Sequence, residues 1–286
     1  MKKFIKIGKI IIVVAIFIIV GSIIYVRFSR YTDKMIYQTN GLAYDNFETT
    51  LNHKRYYFDI DDDIVLHGVL FKPDSQIARA TIIHYPGKGM HLMASRKYYE
   101  ILVKKGFQVF SFERRGFGKS TGVANNSLTL KEDALYVFDK ILDDVQVKNT
   151  PILIWGQSLG GSFATMNAAE RNDKITGVIL EGTFNSFPDI GKVYANALGL
   201  ENFKWLIPLL MNNDFSAENE IKKISKPIWI VHSVIDKQVP FGLGKKLYEA
   251  SDKSNTQFWE IEGKHIKAIF DYEEEYVQKF IDIIDY

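Results

Sequence analysis

Three residues in this sequence have the types, and the order along the chain, that acyl-transfer chemistry requires. Ser158 lies within GQSLGG, Asp236 within HSVIDKQVP and His265 within GKH. A serine hydroxyl is a weak nucleophile near neutral pH, so it needs an adjacent base, and that base needs a third group to fix its tautomer. We therefore expect Ser158 to be the nucleophile, with His265 as general base and Asp236 as orienting acid.

The sequence around Ser158 decides between two interpretations of its G-x-S-x-G pattern. The pattern follows an apolar run typical of a buried strand, PILIW, and precedes a helical run, SFATMNAAER. In a strand–turn–helix setting the serine lies on a sharp, strained turn with its Oγ exposed above the sheet. The alternative is a glycine-rich turn with a capping serine, and the residues further along the chain favour the nucleophile.

Position along the chain singles out His265 and Asp236. Of the six histidines, only His265 lies in a loop after the last predicted strand. Asp236 comes four residues after the end of the preceding predicted strand, where its alternative role would be a turn or N-cap aspartate. Four other histidines belong to strands or to the N-terminal hairpin region and are expected to be structural, with backbone partners: His53, His67, His84 and His232.

Acyl transfer also needs donors aimed at the oxyanion that develops in the transition state. The backbone N–H of Leu159, directly after the nucleophile, is the first candidate. The second is expected in the loop after ATIIHY, which continues Pro-Gly-Lys-Gly, and we assign it to the backbone N–H of Lys88. Glycines on both sides of Lys88 let the backbone approach a substrate, and Gly87 and Gly89 stay open as alternatives.

The segment FGKST at 117–121 looks like part of a phosphate-binding loop but lacks two features of one. Such a loop needs a glycine five residues before its Gly-Lys pair, and that position is Glu113. The residues that follow, TGVANNSLTL, do not start a helix promptly, so the N–H cradle and the helix dipole that bind phosphate are missing. A nucleotide-binding function is therefore not expected.

Charge and cysteine content exclude other classes of protein. The chain has 36 basic and 34 acidic side chains, a net charge of +2, which argues against the basic face that nucleic-acid binding needs. It has no cysteine, so it has no disulfide, thiolate metal site or cysteine nucleophile. We expect no nucleic-acid partner, no metal and no organic cofactor.

The first thirty residues have the composition of a membrane anchor. Residues 10–26 form an apolar run that would span about 25 Å as a helix, near the short end of the transmembrane range. Four lysines precede this run and two arginines follow it, which favours a cytoplasmic N-terminus. No small-residue cleavage site follows, so we expect an uncleaved signal anchor rather than a cleaved signal peptide or a buried helix. The catalytic domain would then lie outside the cytoplasm.

The rest of the chain alternates between strand-like and helical runs. A connector at 31–53 with weak helical character leads into one domain at 54–286. The first two strands suit an antiparallel hairpin, and later strands alternate with helices, which predicts βαβ units and a mostly parallel sheet. Strands are predicted at 55–60, 64–71, 80–85, 107–112, 152–155, 177–180, 228–232 and 257–261, and helices at 92–105, 128–143, 159–171, 241–251 and 267–284.

One insertion, at 183–226, is longer than a simple crossover between strands. It is rich in Phe, Trp, Leu and Met. We expect a small helical cap over the C-terminal edge of the sheet, where ligands bind in open α/β sheets. The alternative is an ordinary crossover with one extra helix.

Taken together, these motifs resemble the α/β-hydrolase superfamily over about residues 55–285. The matching segments are PGKG, RRGFGKS, GQSLGG, HSVIDKQVP and GKH. RRGFGKS is similar to the R-G-x-G-x-S loop of that family, which packs near the active site, whereas Tyr85-Pro86 replaces a common His-Gly. The resemblance implies an α/β fold with an eight-stranded sheet, helices on both faces and a small cap. It is strongest to membrane-anchored members labelled lysophospholipase-like, acyl-thioesterase-like or serine-aminopeptidase-like.

The resemblance and the three candidate catalytic residues together predict a serine hydrolase that cleaves an ester or thioester through an acyl-enzyme. The apolar cap and the nearby bilayer favour a small-molecule or lipid-like substrate with an acyl chain, because each buried CH₂ adds about 0.8 kcal/mol. Two alternatives stay open. One is a serine aminopeptidase-like peptidase, and the other is a catalytically idle, membrane-tethered binding protein of the same fold.

Overall fold

A single sheet of eight strands forms the centre of the computed structural model, which describes residues 2–38, 44, 47–74 and 77–286. The strands are β1 (His53–Asp61), β2 (Ile64–Phe71), β3 (Thr81–Tyr85), β4 (Gln108–Phe112), β5 (Ile152–Gln157), β6 (Gly177–Glu181), β7 (Ile228–Ser233) and β8 (Thr256–Ile261). Their order is β1-β2-β4-β3-β5-β6-β7-β8. β2 is antiparallel to both of its neighbours and all other pairs are parallel. The predicted eight-stranded, mostly parallel sheet is confirmed.

Helices connect most of these strands. The α-helices are α1 (Lys2–Phe28), α2 (Tyr31–Tyr37), α3 (Leu92–Lys104), α4 (Ser127–Leu142), α5 (Leu159–Glu170), α6 (Phe187–Ala197), α7 (Ile207–Leu210), α8 (Ala217–Glu220), α9 (Phe241–Ala250), α10 (Ala268–Asp271) and α11 (Glu273–Ile284). Short 3₁₀ helices occupy Asn172–Lys174, Glu201–Leu206 and Ile221–Lys223. Residues 183–226, called the cap segment below, contain α6, α7, α8 and two of the 3₁₀ helices.

Each face of the sheet has its own hydrophobic core, because neighbouring residues of a strand point to opposite faces. In β5, Ile154 belongs to the core that includes Phe138 of α4 and Phe163 of α5. The preceding residue, Leu153, belongs to the other core, with Phe280 of α11. Strands β3 to β6 are buried on both faces, which explains why their sequences are mostly apolar rather than alternating.

The two N-terminal helices differ in their surroundings. Most of α1, the 23 residues Lys6–Phe28, contains an 18-residue window with a mean hydropathy of 2.9 that is exposed, which fits a single-pass membrane anchor. In contrast, α2 packs on the domain, where the buried ring of Tyr37 lies edge-on to Phe163 and Phe187. The first part of the predicted connector is therefore a helix that contributes to the core.

The helix predicted at 267–284 is in fact two helices, α10 and α11. Tyr272 separates them because its backbone is not helical, with φ −139° and ψ 49°. Its hydroxyl donates to the carbonyl of Glu262, just after β8, at 2.8 Å. This tertiary contact turns the chain, and helical periodicity in the sequence does not encode it.

Candidate active site

Ser158 occupies the sharp turn between β5 and α5. Its backbone has φ 52° and ψ −122°, a region that residues with side chains rarely adopt and that costs about 1–3 kcal/mol. The turn also depends on Gly160, because a Cβ there would collide with the carbonyl oxygens of Tyr85 and Pro86. The end of β3 therefore lies directly against the turn, and Ser158 is held half-buried at the carboxyl edge of the sheet.

Asp236 and His265 form a hydrogen-bonded pair at the same edge. His265 Nδ1 lies 2.5 Å from Asp236 Oδ2. Since an ionised carboxylate only accepts, the ring nitrogen is the donor. The other oxygen, Oδ1, accepts from the backbone N–H groups of Gln238 (2.8 Å) and Val239 (3.0 Å). This arrangement leaves His265 Nε2 as an acceptor, which is the tautomer that a general base needs.

The surrounding groups keep Asp236 ionised. Burial would raise the pKa of Asp236, but the hydrogen bond and charge of His265 and the N–H groups of Val239 and Gln238 bring it below its ordinary value. His232 also lies near, with Nε2 3.9 Å from Asp236 Oδ2. That nitrogen is 2.9 Å from the Val239 carbonyl, and burial lowers the pKa of the His232 ring. His232 is therefore neutral near pH 7 and has the expected backbone partner.

Contacts from two other elements, α3 and β6, hold the loop that carries His265. The next residue, Ile266, has φ 50°, which is unusual for a β-branched residue. Its carbonyl accepts from the Tyr98 hydroxyl of α3 at 3.1 Å. The N–H of Ala268 donates to the carboxylate of Glu181, at the end of β6, at 2.9 Å. The position of His265 therefore depends on Tyr98 and Glu181 as well as on its acid partner.

Ser158 and His265 line one cavity of about 400 Å³. This volume is within the range of small-molecule sites, about 300–1,000 Å³. Ten further residues line it: Gly87, Lys88, Met90, Ala94, Tyr98, Tyr194, Gln238, Val239, Ile266 and Lys267. In the described part of the chain, no hydrogen bond joins Ser158 Oγ to His265. Such bonds are often long before a substrate binds, so both residues remain candidates for one reaction.

The loop after β3 approaches Ser158 through its backbone. A Cβ at Gly87 would lie 3.4 Å from Ser158 Cβ, and Lys88 lines the same cavity. Leu159 is the first residue of α5, where a backbone N–H has no acceptor within the helix. The two residues assigned from the sequence as oxyanion donors, Leu159 and Lys88, therefore both lie beside Ser158.

A buried arginine supports this loop from behind. The guanidinium of Arg114 donates to the carbonyls of Pro86 (3.2 Å) and Gly87 (3.3 Å) and lies 4.6 Å from the ring centre of Phe117. Burial lowers the pKa of Arg114 to about 10, so the group is still charged at neutral pH. Bonds to two consecutive carbonyls fix the direction of the backbone that leads into Lys88.

Sequence reasoning did not single out Arg114, Tyr98 or Glu181, although all three contact the site or its loops. For Arg114 one signal existed, because it directly precedes the segment that matches R-G-x-G-x-S. Tyr98 is one of several apolar residues on a predicted helix, and Glu181 ends an apolar strand. Neither of these two positions carries a local pattern that points to a site.

Two histidines expected to have backbone partners have side-chain partners instead. His84 Nδ1 lies 3.0 Å from the Tyr99 hydroxyl and Nε2 lies 3.1 Å from Gln157 Oε1. His67 Nδ1 lies 2.9 Å from Glu113 Oε2. The expectation was wrong because both rings are fully buried beside neighbouring elements whose side chains supply the polar partners. Burial lowers the pKa of His84 to about 3, so this ring is neutral.

The GKS turn at 118–120 wraps around a carboxylate of the chain itself. Glu113 Oε2 accepts from the backbone N–H of Lys119 at 2.8 Å, and the Ser120 hydroxyl donates to the Glu113 carbonyl at 2.7 Å. This turn is therefore organised by Glu113, at the position where a phosphate loop has glycine. Within the described residues, no group of three His, Asp or Glu side chains is arranged to hold a metal ion.

One family model and several known proteins are similar in sequence to this chain. A family model described as serine aminopeptidase, S33, matches residues 76–213. The protein YfhR of Escherichia coli is 28% identical over 99% of this chain and 95% of its own length. The lysophosphatidylserine lipase ABHD12 of Xenopus tropicalis is 35% identical over 52% of this chain and 40% of its own length. The chain thus matches less than half of that lipase.

Solved structures share the architecture. The esterase Pf2001 of Pyrococcus furiosus superposes with a TM-score of 0.69 at 19% identity, covering 87% of this chain and 97% of that one. Est1E of Butyrivibrio proteoclasticus superposes with a TM-score of 0.62 at 21% identity, covering 81% of this chain and 99% of that one. At these identities the likeness concerns the fold, and it confirms the resemblance seen in the sequence motifs. The chain has the fold of the α/β-hydrolase superfamily, and its residues 76–213 match the family model described as serine aminopeptidase, S33.

Proposed function

We propose that this chain is a serine hydrolase that cleaves carboxylic ester or thioester bonds of acyl-chain substrates. The supporting observation is that Ser158 and His265 line the same cavity and that Asp236 is hydrogen-bonded to His265. In this proposal Ser158 is the nucleophile, His265 the general base and Asp236 the orienting acid. The backbone N–H groups of Leu159 and Lys88 form the oxyanion hole.

The proposed reaction has two steps. In the first, His265 Nε2 takes the hydroxyl proton as Ser158 Oγ bonds to the substrate carbonyl carbon, and the N–H groups of Leu159 and Lys88 receive the oxyanion. His265 then gives the proton to the leaving alcohol or thiol, and the acyl group stays on Oγ. In the second step His265 takes a proton from water, which attacks the acyl carbon, and Ser158 regains its proton as the acid leaves. Asp236 stays ionised and stabilises the imidazolium.

The lining of the cavity favours an acyl ester with a neutral or anionic remainder. Met90, Val239 and Ile266 contribute apolar side chains, and Lys88 and Lys267 contribute cationic ones. An acyl chain gains about 0.8 kcal/mol for each CH₂ that it buries, so several carbons would bind well. The relative ABHD12 is named as a lipase for lysophosphatidylserine, and its name supports a single-chain lipid with a charged headgroup as the first substrate class to test.

The matching family model favours a second candidate, a serine aminopeptidase. The free ammonium group of a peptide substrate would need an acidic partner near Ser158. None of the described residues that line the cavity is Asp or Glu, and two of them are Lys. This charge pattern supports the ester over the peptide. A catalytically idle binding protein is the third candidate, and the hydrogen-bonded Asp236–His265 pair argues against it.

We also propose that α1 anchors the chain with its N-terminus in the cytoplasm and its domain on the other side. The four lysines before the apolar run, against two arginines after it, support this orientation. The variant Val145→Cys places a thiol at an exposed site of a chain without cysteine. A membrane-impermeant maleimide should label it in intact spheroplasts of a bacterial expression host. Labelling only after lysis would indicate the opposite orientation, with the domain in the cytoplasm.

The proposed activity can be tested with the full-length chain in detergent micelles. Hydrolysis of p-nitrophenyl esters of increasing chain length is compared with that of alanine p-nitroanilide, beside Ser158→Ala. We expect turnover of esters with an optimum chain length, and its loss in the variant. Faster turnover of the anilide than of every ester would support the peptidase instead. A folded wild type without any turnover would support the idle binding protein.

A further inference from the structure

The cap segment presents apolar side chains to the surface, next to the membrane helix. Between residues 198 and 209, five such side chains are exposed by between 45% and 71%: Leu198, Leu200, Phe203, Trp205 and Leu209. We call these five side chains the cap face. The only charged residues in the same stretch are Glu201 and Lys204, which have opposite signs. Contiguous exposed apolar surface on a folded domain marks a contact with a partner or a membrane.

Hydrogen bonds at the end of α1 fix the position of the cap face along the axis of the membrane helix. Arg27, in the last turn of α1, donates to the carbonyls of Pro208 (3.2 Å), Leu209 (3.4 Å) and Met211 (3.2 Å). In return, the Asn212 side chain donates to the Arg27 carbonyl at 3.4 Å. Helix α7 therefore lies beside the last turn of α1. The end of a membrane helix is the part that meets the lipid headgroups.

A second set of contacts fixes the orientation of the domain. The Arg30 guanidinium bonds to Asp214 (2.7 Å), Ser127 (2.7 Å) and Asp33 (2.9 Å). These partners belong to the cap segment, to α4 and to α2, so one arginine joins three elements directly after the anchor. With Arg27 and Arg30 both bound, rotation of the domain about the anchor would break these bonds. The cap face is thereby kept beside the plane from which α1 emerges.

We infer that the cap face lies in the headgroup region of the bilayer that α1 crosses and forms a second membrane contact. Two exposed aromatic residues, Tyr25 and Phe28, lie at the end of α1, where Arg27 bonds to α7 beside the cap face. Trp205 and Phe203 suit this depth, because aromatic rings are enriched at membrane interfaces. This position beside the end of the membrane helix favours lipid over a second copy of the chain as the occupant.

The cap face also leads towards the cavity. Tyr194 of α6 lines the cavity together with Ser158. Leu198 follows it by four residues, so the two side chains lie on the same side of the helix end. An acyl substrate would reach Ser158 from the headgroup region without entering bulk water. This route rests on the proposed function, whereas the bilayer contact does not.

Single cysteines can report the depth of the cap face, because the chain has none of its own. Leu198→Cys and Phe203→Cys sample the cap face, Ile18→Cys samples the membrane helix, and Val145→Cys samples an exposed apolar site between α4 and β5. Each full-length variant is spin-labelled in nanodiscs of phosphatidylcholine and phosphatidylglycerol. Collision rates are then measured with oxygen, which concentrates in lipid, and with a nickel chelate, which stays in water.

We expect the two cap labels to lie about 5–10 Å below the headgroup boundary, protected from nickel and accessible to oxygen. The Val145 label should show the reverse, and Leu200→Cys replaces any cap variant that does not fold. Cap labels as accessible to nickel as the Val145 label would overturn the inference. Protection from both reagents would also overturn it and would indicate a protein partner. Neither result depends on ester hydrolysis, so this inference and the proposed function can fail separately.

Discussion

His265 Nδ1 lies 2.5 Å from Asp236 Oδ2, on a carboxylate whose other oxygen is held by two backbone N–H groups. The two oxygens therefore have different tasks. Oδ1 fixes the carboxylate to its own loop, and Oδ2 accepts the hydrogen bond from His265 Nδ1–H. Rotation of the carboxylate would break the bonds from Gln238 and Val239, so the His265 tautomer is fixed by the backbone as well as by charge.

Replacing the acid tests this relationship. In Asp236→Asn, Oδ1 can still accept the two N–H groups, so the fold should persist. The amide cannot hold His265 in the required tautomer, and we expect kcat for a p-nitrophenyl ester to fall about 10⁴-fold. Asp189→Asn is the matched control, since Asp189 forms ion pairs with Lys192 and Lys246 away from the cavity. An Asp236→Asn rate close to that of the control would remove Asp236 from the proposed mechanism.

The second prediction concerns the support of the oxyanion loop. Arg114→Met leaves the buried carbonyls of Pro86 and Gly87 without their donor, at about 1–3 kcal/mol for each unsatisfied group. A loosened loop would misplace the N–H of Lys88, so we expect kcat to fall by about 10- to 100-fold with little change in KM. Arg115→Met is the control, because Arg115 pairs with Asp133 instead. If kcat is the same in both variants, Arg114 has only a structural role.

The third prediction concerns the junction between anchor and domain. Asp33 is 1% exposed and accepts from Arg30, so Arg30→Gln removes the cation beside a buried carboxylate. We expect a loss of about 1–3 kcal/mol in the free energy of unfolding, seen as a lower Tm of the full-length chain in micelles. Lys174→Gln removes an exposed partner of Asp139 and should change stability by no more than about 0.5 kcal/mol. Equal Tm values for the two variants would contradict this role of Arg30.

The same junction predicts a dependence of stability on pH. Burial would raise the pKa of Asp214, but hydrogen bonds from Arg30 and Ser127 and the charge of Arg30 bring it below its ordinary value. Its stabilising effect is therefore complete above about pH 4, the value for an unfolded aspartate, and is lost as the pH falls through the lower folded pKa. The Tm difference between wild type and Asp214→Asn should be largest near pH 7 and shrink below pH 4. A difference that grows on acidification would show the opposite sign of the shift.

The strands of the sheet and the order of the candidate residues were predictable because both follow from short sequence patterns. Apolar runs such as PILIW identify buried strands, and G-x-S-x-G between a strand and a helix identifies the turn at Ser158. Parallel strands place their carboxyl ends at one edge, which brings the loops of Asp236 and His265 there as well. Chain order and strand ends were therefore enough to predict that these three candidate residues lie at one edge of the sheet.

The rest of the site depends on contacts between distant segments. Arg114 supports the loop at Pro86 and Gly87 through space, and no spacing rule links it to them. Arg30 meets Asp214 across 184 positions of sequence, so the docking of α2 was not visible in a segment that showed only weak helical character. Tyr272 interrupts the predicted final helix for the same reason, because its partner Glu262 lies outside the helix.

The most direct test of the central claim is covalent labelling of Ser158 by a fluorophosphonate. The full-length wild type and Ser158→Ala are each treated with the probe in micelles, and the labelled peptide is identified by mass spectrometry. The proposed function predicts one adduct, on Ser158, and none in the folded variant. An adduct on another residue, or none on folded wild type, would contradict Ser158 as the nucleophile.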